Sequence, residues 1–317
     1  MNPISRTAIL LAFSFCLTSP VFATNTIPVG TSPSYLAVNS NTNRIYVSNS
    51  ISNTVSVIDG NSNTVIATVP LSASPSGVDV DPTTNMIYVA TPLVGGVVVI
   101  DGSTNTVITT ITGVGAIFVA VDAVTNLIYV PNFLSNTVSV IDGASNTIVA
   151  TVPVGNNPHG AVVNSAANLI YVTNNSSGTV SVIDGSTNTV TNTFALPPFS
   201  TPNALALDTK SNRLYVTDGE DRVVFVMNAS TGKMVLLRGG NLAFTQPIYA
   251  AVLQPGKTVL ISDDGIDNCL WPISETNNKV GTALKGFNGP VGIAVNQVTH
   301  KVYVANNVNN TVTVFSY

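Results

Sequence analysis

One segment recurs seven times along the chain, and its period decides what such a chain can fold into. It reads Pro-x-x-(apolar)-Ala-Val-Asn/Asp, then Leu/Ile-Tyr-Val-Thr-Asn, then Thr-Val-Ser-Val-Ile-Asp-Gly, then Thr-Val-x-x-Thr-Val. The anchor tyrosine falls at Tyr46, Tyr88, Tyr129, Tyr171, Tyr215 and Tyr303, with Leu260 in the sixth repeat, at intervals of 41–45 residues. A period of about 40–45 residues made only of short strand signals is the mark of a β-propeller, one repeat per blade. The expected fold is all-β, with seven blades of four antiparallel strands.

The first repeat predicts an innermost strand over Tyr35–Val38, then strands over Arg44–Ser48, Thr54–Ile58 and Thr64–Val69. The Asp59-Gly60 turn before the last strand returns as Asp101-Gly102, Asp142-Gly143 and Asp184-Gly185. Its carboxylate can accept backbone N–H groups, and its glycine tolerates positive φ. Pro70 and Pro153 end their fourth strands, where a missing N–H suits a blade edge. The seventh repeat has only three strand signals before Tyr317. The missing one lies at the other end: residues 26–33 match residues 151–158 at five of eight positions. The start of the mature chain should therefore complete the last blade.

Met1–Ala23 reads as a secretory signal peptide, with a short Arg6-bearing start, an apolar Ala8–Leu17 core and a Val21-Phe22-Ala23 cleavage site. Cys16 follows Phe15, which argues against a lipid anchor. The mature chain, 24–317, is expected to be one exported propeller domain, monomeric and without a transmembrane segment. Cys269 is its one cysteine, and a buried thiol is expected. Charged residues are 8% of the chain and the net charge is −4, so nucleic-acid phosphates find no clustered Lys and Arg.

Tyr171-Val172-Thr173-Asn174, with the repeated Val-Ile-Asp-Gly and Pro-x-Gly elements, resembles the YVTN-repeat family of seven-bladed propellers, over essentially all of 24–317. The resemblance implies export to the periplasm, cell surface or surface layer. It implies no assigned reaction for most members. It also brings a periplasmic single-stranded DNA binder, a streptogramin lyase and quinone-cofactor amine dehydrogenase subunits as relatives.

Repetition separates scaffold from site, because a single site needs its residues once. The repeated Tyr, turn Asp and Asn are read as scaffold. The residues after the leading prolines (after Ala116 in the third repeat), at the channel mouth, are Ser34, Ser76, Ile117, His159, Asn203, Ile248 and Val291. Of these only His159 titrates near neutrality, and it is read as a polar channel residue or, alternatively, a catalytic base. His300 is read as a solvated turn residue. A second departure follows Tyr-Val-x, where Asn gives way to Asp218 and Asp263 in blades five and six. With Glu220, Asp221, Asp264 and Asp267 they form acidic loops on the face that carries His159 and Asn203. That face reads as a solvated patch, or as a site for Ca²⁺ held by Asp218, Asp263, Asp264 and Asp267, or for a cationic ligand. Trp271 and Tyr249 nearby are read as packed side chains.

The main functional reading is an exported, non-enzymatic binding propeller whose loop-bearing face meets a protein or an envelope glycan. The alternatives are a divalent-metal-assisted lyase or lactonase using His159 with a carboxylate, and, through the resemblance alone, a single-stranded DNA binder.

Overall fold

The computed structural model describes residues 25–239, 244–254 and 257–317; the expected leader, with Cys16, lies outside them. Seven antiparallel sheets follow one another along the chain. In blade one Pro33–Asn39, Arg44–Asn49, Thr54–Asp59 and Thr64–Pro70 pair in that order. Blades two to five repeat the meander. The two middle strands are buried on both faces because neighbouring blades stack on them. Ile45 to Asn49 and Val55 to Ile58 are continuously buried, whereas Thr64–Pro70 alternates toward solvent. A strand covered on both sides reads as an unbroken apolar run. The core is accordingly a series of clusters between blades: Tyr46, Val55 and Val57 of blade one pack with Ile87, Val89 and Ile100 of blade two.

The repeated tyrosine and the repeated Asp-Gly turn explain each other. Tyr46 is fully buried, and a Cβ placed on Gly102 of the next blade would lie 2.7 Å from its hydroxyl. Tyr88 stands in the same relation to Gly143, and Tyr129 to Gly185, at 2.8 Å. These glycines do not have positive φ; that conformation falls to the asparagines that close the turns, such as Asn63 (55°), Asn105 (56°) and Asn146 (55°). The expectation that the turn glycine supplies positive φ is thus corrected. It is needed because a side chain there would run first into Asn85, Asn126 or Asn168 of its own blade and then into the neighbouring tyrosine hydroxyl, while Asn tolerates the left-handed region. The turn carboxylates do accept backbone N–H groups: Asp59 Oδ1 takes that of Asn61 at 2.7 Å and Asp142 Oδ1 that of Ala144 at 3.0 Å.

The ring closes as the repeats predict. Asn25–Pro28 pairs with Thr311–Ser316 in the register Asn25↔Val314 to Pro28↔Thr311, and Ile27 is buried beside Val312 and Ala305. Pro290–Asn296 and Lys301–Asn306 complete blade seven. Blade six differs. Pro247–Leu253, Thr258–Asp263 and Cys269–Ser274 form its three strands. The fourth position is filled by isolated bridges, Ile273↔Val280 and Leu270↔Leu284, the latter with backbone bonds of 3.0 and 2.8 Å. Pro272, in the third strand, has no N–H to extend that ladder. Cys269 is fully buried here.

Candidate functional site

Each blade runs antiparallel, so the starts of the innermost strands and the loops between second and third strands share one face. The first ring, from Ser34 to Val291, lines the mouth, and all seven residues are half-buried. His159 turns toward the interior. Its ring centroid is 5.2 Å from that of Phe118, and its Nδ1 is buried without a hydrogen-bond partner. Burial pulls the His159 pKa below the usual imidazole value, and a backbone hydrogen bond with Asn203 only partly opposes this. Asn203 is engaged by its neighbours. Its Oδ1 accepts Asn175 Nδ2 at 2.9 Å and its carbonyl accepts the Thr173 hydroxyl at 2.7 Å.

One residue deeper, the ring reads Tyr35, Gly77, Phe118, Gly160, Ala204, Tyr249 and Gly292, so large and small nearly alternate. The glycines are forced by the next strand: a Cβ on Gly77 would lie 2.8 Å from Phe118 Cα, and one on Gly292 2.9 Å from Tyr35 Cα. The three aromatic rings converge. Tyr35 meets Phe118 edge-on at 4.7 Å and Tyr249 at 6.0 Å, and Phe118 lies nearly parallel to Tyr249 at 6.5 Å. They line a cavity of about 270 Å³ inside the channel. Tyr249, read from sequence as packed, faces this cavity; Trp271 does pack, edge-on to Phe244 at 6.3 Å.

Two residues further on lies Asp79, which also lines the cavity. The equivalent position is Ala37, Ala120, Val162, Ala206, Ala251 and Ala294 in the other blades. Asp79 Oδ2 accepts the Val121 N–H of blade three at 2.8 Å, and Oδ1 accepts the Val80 N–H at 2.8 Å. Burial raises the Asp79 pKa to about 6 against the pull of those two N–H groups. Asp79 thus departs from the repeat as His159, Asp218 and Asp263 do, at a position neither at the mouth nor after Tyr-Val-x.

The acidic loops divide in two. Asp218 and Asp263 are fully buried and stitch their loops together. Asp218 accepts Thr201 N at 2.6 Å and Thr201 Oγ1 at 2.9 Å; Asp263 accepts Thr245 N, Thr245 Oγ1 and Gln246 N, each at 2.7 Å. The asparagines of other blades do a different task. Asn49 donates to Thr54 Oγ1 and Ser56 Oγ, and Asn174 to Thr179 Oγ1 and Ser181 Oγ. Where the third strand loses these hydroxyls, to Val223 and Phe225 or to Cys269 and Trp271, Asn becomes Asp and turns to the preceding loop instead. Glu220, Asp221 and Asp267 are exposed. Asp264 is half-buried at the mouth, its Oδ1 has no partner, and burial followed by Asp263 raises its pKa. Among the described residues no three of His, Cys, Asp and Glu come together as a metal-holding group. His300 is exposed in its turn.

The same face carries a circle of apolar tips. Ile51, Leu93, Leu134, Ile266 and Val308, one from each of five second-to-third-strand loops, are at least 65% exposed, as is Phe199 in the loop leading into blade five. Blades four and five present Ser176-Ser177 and Glu220-Asp221 there instead.

The NHL repeat matches residues 287–315, the first three strands of blade seven with the turn before them. The chain is thus a propeller of repeated blades. A chain of the hydrazine synthase of Kuenenia stuttgartiensis is similar in fold, with a TM-score of 0.81, 16% identity, and 91% of this chain and 97% of that one covered. A chain of a mitotic checkpoint complex is similar at a TM-score of 0.79 and 16% identity, over 100% of this chain and 96% of that one. At such identity both likenesses concern the fold alone. No curated protein matches the sequence. Among the described residues no helix is long and apolar enough to cross a membrane.

Proposed function

We propose that the chain is an exported, monomeric binding propeller of the YVTN-repeat type that docks a protein partner on its mouth face. The observation that carries this reading is the circle of apolar tips. Scattered exposed apolar residues need no explanation, but apolar tips gathered on one face around a channel suggest an interaction surface. The acidic arc of Glu220, Asp221 and Asp267 would favour a partner with a basic edge and set its orientation. Export rests on the Met1–Ala23 leader. The lyase or lactonase reading would draw on His159 with a carboxylate, but the His159 ring is packed against Phe118 and its buried Nδ1 has no hydrogen-bond partner, carboxylate or other.

Replacing Leu93, Leu134 and Ile266 together by Ser tests the docking face. These side chains are exposed, so melting should hardly move. A species cross-linked to the wild type in envelope extracts should be lost with the triple variant, and the same set with both proteins would overturn the reading. A captured glycan in place of a protein would overturn the choice of partner. Fractionation tests export: processed chain beginning at Thr24 belongs outside the cytoplasm, and intact Met1 chain retained inside would overturn it.

A further inference from the structure

We propose that the channel beneath the mouth is a binding site for a small organic ammonium ion, with Asp79 as its counter-ion and Tyr35, Phe118 and Tyr249 as its aromatic wall. The inference rests on the reading of this face as a binding face, but on different residues. Asp79 is the one charged residue among those lining the cavity; no Lys or Arg is among them. Each of its carboxylate oxygens accepts one backbone N–H, which leaves a lone pair on each for an ammonium donor. The position is otherwise Ala or Val in every blade, so the scaffold does not call for a carboxylate. Half-buried on the cavity wall with no cation among the lining residues, the carboxylate is costly to hold charged until one arrives.

The aromatic wall supplies the second half of the recognition. A cation within about 6 Å of a ring face is drawn by the ring quadrupole, more strongly once desolvated. Tyr35, Phe118 and Tyr249 come from three different blades and meet at centroid distances of 4.7, 6.0 and 6.5 Å. A cavity of about 270 Å³ suits an amine of a few carbons better than a drug-sized molecule. At the mouth the half-buried Asp264, with an unpartnered Oδ1, adds negative potential along the way in. Burial and the nearby Asp264 push the Tyr35 pKa up to about 12, consistent with an anionic, poorly solvated channel.

Isothermal titration of the purified full chain would compare n-butylammonium with n-butanol and tetramethylammonium with tert-butanol, pairs alike in shape and different in charge. The expected result is that at least one cation binds about tenfold or more tightly than its neutral counterpart. Asp79→Asn should abolish that preference while melting cooperatively. Tyr249→Leu should weaken tetramethylammonium by about tenfold, and this variant decides should Asp79→Asn not fold. Equal binding within both pairs, no binding at all, or a preference that survives Asp79→Asn or is untouched by Tyr249→Leu would overturn the proposal. The triple tip variant separates this site from the docking face. It should bind the cations like wild type, so loss of partner capture with cation binding intact would concern the face alone. Partner capture without cation binding would sink the channel site alone.

Discussion

At Asp79 a single side chain breaks a sevenfold pattern, and the energetic consequence is a definite pH dependence. Burial raises its folded-state pKa from 3.8 to about 6, so between these values the folded chain holds a proton that the unfolded chain has released. Stability must then fall as pH rises through this window, and the deficit is complete above pH of about 6. Asp79→Asn keeps an acceptor for the Val121 N–H and removes the charge. It should match the wild type near pH 4 and exceed it at pH 7.5 by about 1–2 kcal/mol, with the full shift as the upper limit. Paired urea melts at the two pH values check this; equal stability at pH 7.5 would mean that channel water solvates the carboxylate. The residue stands out in the sequence only when the seven repeats are set against one another at this position, where the others hold Ala or Val. Val78-Asp79-Val80-Asp81 reads as an alternating strand leading into a turn aspartate. Only the ring geometry shows that the first aspartate points into the channel rather than out to solvent.

The blade was legible because burial on both faces writes long apolar runs into its middle strands, and because the Tyr of one blade and the Asp-Gly turn of the next recur together at the seams of Tyr46, Tyr88 and Tyr129. The roles of Asp218 and Asp263 were not legible in the same way. Their acidity looked like a surface property, although the loss of hydroxyls at Val223, Phe225, Cys269 and Trp271 marked a changed hydrogen-bond partner. Blade six departs furthest, with Leu260 for Tyr, Pro272 in a strand and bridges for a fourth strand. Its seam with blade five also holds a carboxyl pair on the side away from the mouth. Glu275 is buried and hydrogen-bonded to Asp208; burial, then Asp208, raises its pKa to about 7, with Arg213 and Lys210 opposing. The folded chain again binds the extra proton, here between pH 4.5 and about 7, so this seam weakens as pH rises through that range. Glu275→Gln preserves the hydrogen bond to Asp208 without the charge. It should leave stability at pH 4.5 unchanged and add on the order of 1–2 kcal/mol at pH 8. Guanidinium melts of both proteins would show it, and a parallel pH dependence in the variant would assign the slope to another group.

At the scale of the molecule, the ring has one covalent break, and four residues close it. The match between residues 26–33 and 151–158 made this closure readable, since the same residues serve the same edge in blade three. Asn25–Pro28 covers Thr311–Ser316, with Ile27 3% exposed among Leu36, Ile45 and Val312. Val29 N also donates to Asn310 O at 3.0 Å, and Ser32 N to Asn310 Oδ1 at 2.8 Å. Truncating one such buried isoleucine costs about 2–5 kcal/mol. Deleting Asn25–Gly30 removes that burial and the ladder together, so melting should fall by roughly 10 °C or more. The deletion also uncovers Thr311–Ser316, whose free N–H and C=O groups would then be an open edge able to pair with another chain. Sedimentation velocity should therefore show the deleted protein self-associating where the intact one does not, and Ile27→Ala should lower melting without self-association, because its ladder remains. A deleted protein that melts like the intact one and stays monomeric would mean that packing between blades seven and one, rather than the shared sheet, holds the ring shut.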